Sequence, residues 1–530
     1  MEINHRILSL SLILIAGLFT ISSCEKEQLA EPDQIDNFEN SNQALMQSAR
    51  RIPFYGLTSS NEIVRFSSGN TPLDQEVVAM TGIQPDEQIL AIDFRPSTGQ
   101  LYGVSDQSRL YTINPITGKS SAISATPFTP AISGNLVGFD FNPTVDRIRL
   151  VTENEQNLRL HPETGMVAAT DGSINPGDRN ITAAAYTNSF AGATTTTLYT
   201  IDFAERKLFK QNPPNNGTQE EIGSLGNIVK GEGGFDISPD NQVALAVVNS
   251  GSGSGLIDDP ATKGKRSSFY FINLVTGQAT PAGTSRKNII GLAIPTQKVA
   301  YAVDPDNQLL IFNPDRLSTM IKKTITGLQA GEKILGIDLR PATGQLYALG
   351  SSNRLYTINM ASGAAAPIGV APFSQSLNGS FFGFDFNPTV DRIRIVSNKG
   401  QNLRVHPVTG EVAFVDGGLN PGSPEVDAAA YTNNFAGATT TTLFVLDYNT
   451  DALYTQTPPN EGKLNLVGSL GLDVYKANGF DIGGTSGNAM GIFSTEEDSY
   501  LCSINTSTGT ATIISSFPDD VRGFAVGLGF

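Results

Sequence analysis

The sequence predicts an all-β chain of ten four-stranded units arranged as two halves, and three observations carry that prediction. The stretch Gly138-Phe-Asp-Phe-Asn-Pro-Thr-Val-Asp-Arg-Ile-Arg149 returns letter for letter at Gly383 to Arg394, an offset of 245 residues. Short alternating apolar runs recur at a spacing of about 45 residues, four to a unit, which is the repeat signature of a β-propeller blade. Turn formers are abundant, with 53 Gly and 29 Pro, whereas charged residues make up only 16% of the chain. That balance suits many short strands joined by tight turns.

The order of elements starts with an address. His5 and Arg6 precede an apolar run from Ile7 to about Thr20, and Ile21-Ser-Ser-Cys24 follows. A basic start, an apolar core too short to cross a bilayer and small residues before a cysteine resemble the bacterial lipobox. The expectation is a signal peptide at 1–23 and a Cys24 that is acylated and becomes the N-terminus, holding the protein to the outer membrane on its periplasmic or surface face. Residues 24–52 read as the lipidated cysteine and a flexible tether. The other cysteine, Cys502, then has no partner for an intramolecular disulfide. A formal net charge of −16 argues against nucleic acid as a partner.

From Phe54 onward one theme recurs: an apolar strand, a turn, a second strand, then a third that ends in Asn-Pro-x-Thr-Gly or a near variant. Ile89-Leu-Ala-Ile-Asp-Phe-Arg-Pro96, Gln100 to Val104 and Arg109 to Gly118 show it. Units begin near Ile89, Leu136, Ile181, Gly231, Ile289, Ile334, Phe381, Val426 and Ala477. Phe54 to Met80 supplies three strands of a tenth unit and lacks the first. Gly291 to Ile294 can complete that unit, and Gly523 to Val526 its counterpart, giving five-bladed propellers at 53–295 and 296–530. Alternatively the terminal strand closes one ten-bladed ring. The four residues Pro295 to Lys298 reach roughly 14 Å at most, which favours the single ring, whereas the duplication favours two closed halves.

The repeated Gly138 to Arg149 motif, with Gln156-Asn-Leu-Arg159, Asn175-Pro-Gly177 and Ala191-Gly-Ala-Thr-Thr-Thr-Thr-Leu198, resembles a family of bacterial exported proteins known as domain of unknown function 4394. The motifs recur at Gln401 to Arg404, Asn420 to Gly422 and Ala436 to Leu443. Complete proteins resembling a single half imply that one half can close alone, which selects two five-bladed propellers. The resemblance brings no activity, cofactor or catalytic residue.

Superposed on its sister units, each motif trades neutral residues for charge. Arg147 and Arg149 replace Gln and Tyr on the second strand, and Arg159 replaces Thr on the third, beside Asn157. Alternation puts Arg147 and Arg149 on one face, and a hairpin brings Arg149 next to Arg159. Opposed arginines need an anion between them. It is either a carboxylate, from Asp140, Asp146 or the next unit, in a structural network, or an anionic ligand such as a uronate, sulfate or phosphate. The second copy supplies Asp385, Asp391, Arg392, Arg394, Asn402 and Arg404. His161 and His406 fall where sister units open a turn with Asn, so no metal site is expected of them. Asp304-Pro-Asp-Asn307 reads as a hairpin turn. The Thr194–Thr197 and Thr439–Thr442 runs read as loops entering Thr-rich strands, and Ser250 to Lys265 as a flexible insertion.

No serine-nucleophile elbow, zincin helix or phosphate loop is present. The expected function is a lipid-anchored, non-catalytic binding or scaffolding module with no cofactor, its ligand an anionic glycan or an envelope protein. The rival is a glycan-active hydrolase or lyase using carboxylates and arginines in a propeller mouth, and convergent carboxylates of raised pKa in an open pocket would favour it.

Overall fold

A computed structural model describes residues 52–66, 74–227, 229, 233–249, 267–476 and 478–530. The signal segment, Cys24, the tether and the insertion at 250–265 lie outside the described residues. Among the described residues, forty strands form ten four-stranded antiparallel sheets. The only helical elements among the described residues are two short 3-10 turns, Pro214–Asn216 and Pro459–Glu461.

In the first half, β1 (Phe54–Thr58), β2 (Glu62–Phe66) and β3 (Asp74–Ala79) are joined by β20 (Ile289–Ala293), which pairs with β1. The sheets between run in chain order: β4 to β7 (Ile89–Phe94, Leu101–Ser105, Leu110–Ile113, Ser120–Ala122), β8 to β11 (Val137–Asn142, Arg147–Thr152, Asn157–Leu160, Val167–Thr170), β12 to β15 (Ile181–Tyr186, Leu198–Asp202, Lys207–Gln211, Gln219–Ser224) and β16 to β19 (Phe235–Ile237, Ala244–Asn249, Ser267–Ile272, Ala279–Ser285). The second half repeats the scheme. Its β21 (Ala300–Val303), β22 (Gln308–Asn313) and β23 (Arg316–Thr324) are completed by the C-terminal β40 (Gly523–Val526), which pairs with β21. Between them lie β24 to β27 (Ile334–Leu339, Leu346–Gly350, Arg354–Ile358, Ala365–Ile368), β28 to β31 (Phe382–Asn387, Arg392–Ser397, Asn402–Val405, Val412–Val415), β32 to β35 (Val426–Tyr431, Leu443–Asp447, Ala452–Gln456, Leu464–Ser469) and β36 to β39 (Gly479–Ile482, Ala489–Ser494, Ser499–Ile504, Ala511–Phe517).

The first strands of the sheets pack on one another: β4 on β8, β8 on β12, β12 on β16, β16 on β20 and β20 on β4, with β24, β28, β32, β36 and β40 related in the same way. Both faces of such a strand are covered, so alternation is lost and every residue of β12 is buried. Fourth strands such as β11 and β39 keep one half-exposed face. Apolar clusters therefore lie between successive sheets; Ala183, Ile201, Leu208, Phe235 and Ala246 form one of them.

Close approach of first strands explains the start of the repeated motif. A Cβ on Gly138 would stand 2.8 Å from Ala184 Cβ, and one on Gly383 2.7 Å from Ala429 Cβ. Glycine on one strand and an Ala-Ala-Ala run on the next are thus two sides of one contact. The turn that follows is fixed by Asn142, whose Oδ1 accepts the N–H (3.0 Å) and Oγ1–H (2.7 Å) of Thr144.

The halves meet through several of the repeated loops. Arg95 donates to the Gly344 carbonyl (3.1 Å), Tyr301 Oη to the Ser97 carbonyl (2.7 Å) and the Gly529 N–H to the Thr98 carbonyl (2.9 Å). The Ala-Gly-Ala-Thr loops sit here too: Gly192 packs on Ile321, and the Gly437 carbonyl accepts the Lys119 ammonium. Their threonines form no strand, since β13 begins only at Leu198. Thr196 Oγ1 instead donates to the Thr187 carbonyl (2.6 Å), and Thr441 closes the second loop onto Thr432 in the same way.

Replacing Gly383 by valine is expected to lower stability by about 1–3 kcal/mol through overpacking against β32. The shift in urea midpoint measures it, and an unchanged midpoint would contradict the close-approach account.

Candidate functional site

The arginines of the motif are held inside the protein. Arg149 lies directly opposite Arg159 in the β9–β10 ladder, and Asp171 stands between them. Asp171 Oδ2 accepts from Arg149 Nη1 (2.6 Å), and both its oxygens accept from Arg159, at 2.8 and 2.9 Å. Arg149 also donates to Asn157 Oδ1 and Asn215 Oδ1, each at 2.7 Å, and is 2% exposed. Arg394, Arg404, Asp416, Asn402 and Asn460 repeat this set within 0.1 Å. The neutralising carboxylate therefore comes from the end of the fourth strand of the same sheet.

Asp146 and Asp391 serve another arginine. Asp146 clamps Arg95 of the preceding sheet, Nε to Oδ1 at 2.9 Å and Nη2 to Oδ2 at 2.5 Å, and Asp391 holds Arg340 at the same distances. Burial pushes the Asp146 carboxyl up, but Arg95, Ser97 and Arg147 outweigh it and hold the pKa below the ordinary value. Arg147 and Arg392 stand outside the Arg149 and Arg394 sets and donate to the carbonyls of Asp146 and Asp391 (2.8 Å).

Opposite Arg149 and Arg394 in the ladder, Asp140 and Asp385 accept instead from the Tyr186 and Tyr431 N–H groups among the packed first strands. There Asp93, Asp140 and Asp236 bring one carboxylate oxygen each within 4.8 Å of the others, and Asp338, Asp385 and Asp481 do the same. All six are buried. Their partners account for one N–H from every first strand or the residue after it. Asp93 accepts from Phe94 (2.7 Å) and Phe141 (2.8 Å), Asp140 from Tyr186 (3.0 Å), and Asp236 from Ile237 (2.5 Å) and Ile294 (2.6 Å). Leu339, Phe386, Tyr431, Ile482 and Val526 are satisfied in turn by Asp338, Asp385 and Asp481. Buried N–H groups must find acceptors, and three aspartates per half serve five strands.

Burial, then mutual repulsion, raises the pKa of Asp93 and Asp140 well above the ordinary value. Burial alone carries Asp236 and Asp481 to about 7 against the opposing pull of their main-chain bonds. Each cluster is close enough to hold a hard cation, but N–H hydrogens already point at five of its six oxygens. Sharing protons is the chemistry that fits such a site.

The two halves differ at the mouth, where the first strands begin. In the second half a cavity of about 850 Å³ is lined at its base by Leu335, Phe382, Asp427, Asn478 and Arg522. The corresponding positions of the first half, Leu90, Val137, Thr182, Gly233 and Ile290, line a cavity of about 220 Å³. Buried Asp427 accepts from the Asn478 main chain (3.2 Å) and side chain (3.0 Å). Arg522 is half-buried; its main chain donates to the Val303 carbonyl (2.8 Å), while its guanidinium has no hydrogen bond or ion pair among the described residues. At the rim, Lys476 lies over the rings of Tyr475 (4.9 Å) and Phe381 (5.8 Å). None of the six clustered aspartates lines either mouth.

His161 Nδ1 accepts the Glu163 N–H (3.3 Å) in its turn, and burial, with Arg147 and Arg95 nearby, lowers its pKa to about 4. His406 holds the corresponding turn through Val408 (3.2 Å). Asp304 Oδ1 caps its hairpin by accepting from Asp306 (2.9 Å) and Gln308 (2.8 Å).

Residues 62–293 and 308–525 each match the family described as Domain of unknown function (DUF4394). No curated protein matches the chain. Among solved structures, it is similar to PorZ, described as an essential bacterial surface component of the type-IX secretion system of Porphyromonas gingivalis, at 11% identity and a TM-score of 0.25, over 89% of this chain and 58% of that one. It is also similar to Saccharomyces cerevisiae Sqt1, at 11% identity and a TM-score of 0.24, over 82% of this chain and 96% of that one. The chain thus spans less than two thirds of PorZ.

Two outcomes follow from the buried groups. Arg149→Gln leaves buried Asp171 with Arg159 alone and should cost about 1.5–3 kcal/mol, read by chemical denaturation; a loss under about 0.5 kcal/mol would contradict the network. All six clustered aspartates have folded-state pKa values above the unfolded value of about 3.9, so their contribution to stability is complete below pH ~4 and is lost as pH rises through the folded values, which for Asp236 and Asp481 are about 7. The unfolding free energy should therefore fall between pH 5 and pH 8. Asp140→Asn with Asp385→Asn, which replaces the carboxyls that accept only one N–H, should keep the fold and flatten that slope.

Proposed function

The chain belongs, in two copies, to the DUF4394 family, and from that premise, which assigns no chemistry, we propose a lipid-anchored envelope protein of two five-bladed β-propellers whose second propeller binds a ligand at its mouth. Pairing of β20 with β1 and of β40 with β21 supports two separate rings, each ended by its own last strand. The N-terminal pattern ending at Cys24 supports the anchor, with the propellers presented to the periplasm or the cell exterior.

The observation that carries the binding reading is the contrast between copies. The arginine sets and the clustered aspartates agree almost atom for atom, while Thr182, Gly233 and Ile290 have become Asp427, Asn478 and Arg522 at one mouth. A guanidinium half-buried in a concave site, with no partner among the described residues, is suited to an anionic group of a ligand. The clustered carboxyls are buried and five of the six oxygens in each cluster accept from main-chain N–H groups, so they have no catalytic part in this reading. The acidic rim of Glu496, Glu497, Asp498 and Asp520 disfavours a polyanionic glycan and favours an envelope protein or a fragment of one.

Two measurements test this. Cys24→Ser should abolish palmitate incorporation and release the protein from the membrane fraction; unaltered pelleting would remove the anchor. In a thermal-shift screen against envelope extracts and their fractions, the wild type should gain a ligand-dependent rise that Arg522→Ile lacks. Equal rises in the two proteins would move the site elsewhere.

A further inference from the structure

We infer that the mouth of the second half takes a peptide chain end, its terminal carboxylate on Arg522 and a basic group among Glu496, Glu497 and Asp498. The inference rests on the binding reading above and names its ligand class. Arg522 sets the first requirement. A guanidinium that is half-buried and unpaired within the described residues matches a carboxylate through paired N–H donors. Lys476 does not compete for this role, because its ammonium lies over the two aromatic rings of the rim.

The remaining charge sets the second requirement. Of the ionisable side chains lining the cavity, Asp427, Glu496, Glu497, Asp498 and Asp520 are acidic, and only Lys476 and Arg522 are basic. A ligand with several negative groups would meet that field on approach, and buried Asp427 at the base would face a second anion beside Arg522. A neutral ligand would leave Arg522 unanswered. The ligand that satisfies both groups is amphoteric, with one carboxylate at depth and a positive charge toward the rim. A cavity of about 850 Å³ accommodates a few residues of chain, and the Phe381 and Tyr475 rings give it an apolar wall. A short basic peptide end meets all of these conditions, and an amino-sugar acid shares its chemistry.

Isothermal titration of the full mature chain with Gly-Gly-Lys, its C-terminal amide, Gly-Gly-Glu and an amino-sugar acid separates the possibilities. The expected result is binding of Gly-Gly-Lys that weakens at least tenfold on amidation and at least tenfold in Arg522→Ile, with Gly-Gly-Glu binding more weakly than Gly-Gly-Lys. Arg522→Ile introduces the residue the first half carries at Ile290, and unchanged circular dichroism verifies its fold. Equal affinity for the acid and the amide, or for Gly-Gly-Lys and Gly-Gly-Glu, overturns the inference. Arg522-dependent binding of the amino-sugar acid without any peptide binding also overturns it while keeping the mouth as a site. No Arg522-dependent binding of any probe overturns the site as well.

Discussion

Five main-chain N–H groups in each half, one contributed by each first strand or the residue after it, are buried where no neighbouring strand can pair with them, and three aspartates accept all five. Asp93 and Asp236 each take two, using both oxygens; Asp140 takes one. The positions left over are Ala185 and Ala293, both buried. Three of the five bonds cross between strands, linking β4 to β8, β8 to β12 and β16 to the end of β20, and the arrangement gathers acidic groups within 4.8 Å of one another. Such groups cannot all ionise in a buried site. The fold is thereby linked to protons, and the same constraint recurs in the second half through Asp338, Asp385, Asp481, Ala430 and Ala525.

The arginine sets serve a different part of the structure. They sit farther out along each sheet, where Arg149 and Arg159 pull Asp171 and Asn215 into place and so fix the fourth strand and the next sheet's 3-10 turn at Pro214–Asn216. Strand ties at one end of a sheet and ion pairs toward the other hold a rigid body in which loops can vary. Variation has fallen on the mouth of the second half and on the junction, where Arg95 is fully buried while its counterpart Arg340 is partly exposed.

Much of this was legible in the residues. The unit spacing and the split first unit follow from strand periodicity, which leaves two closures open; the family resemblance selects completion by Gly291 to Ile294 and Gly523 to Val526, the pairing seen for β20 and β40. The opposition of Arg149 and Arg159 follows from counting residues across one hairpin. Asp171 was harder, because it lies past a bulged fourth strand whose register counting does not give. The aspartate clusters had a visible signal, an Asp between two apolar residues in Ile92-Asp-Phe94, Phe139-Asp-Phe141 and Phe235-Asp-Ile237, but their convergence needs sheets arranged in space. Asp140 opposes Arg149 in the ladder, which reads as a pairing with the arginines; its carboxyl reaches instead for the next strand. Arg522 holds the position of Ile290 in the first half, and the exchange takes its meaning from the place of both at a mouth.

The most direct test of the shared frame is infrared difference spectroscopy of the folded protein near neutral pH, comparing wild type with the Asp140→Asn, Asp385→Asn double variant. Protonated carboxyls in both clusters predict a carboxylic-acid carbonyl band in the wild type that weakens in the variant. A wild type whose aspartates show only carboxylate bands at that pH would contradict proton sharing, and with it the account of how three aspartates can hold five strands.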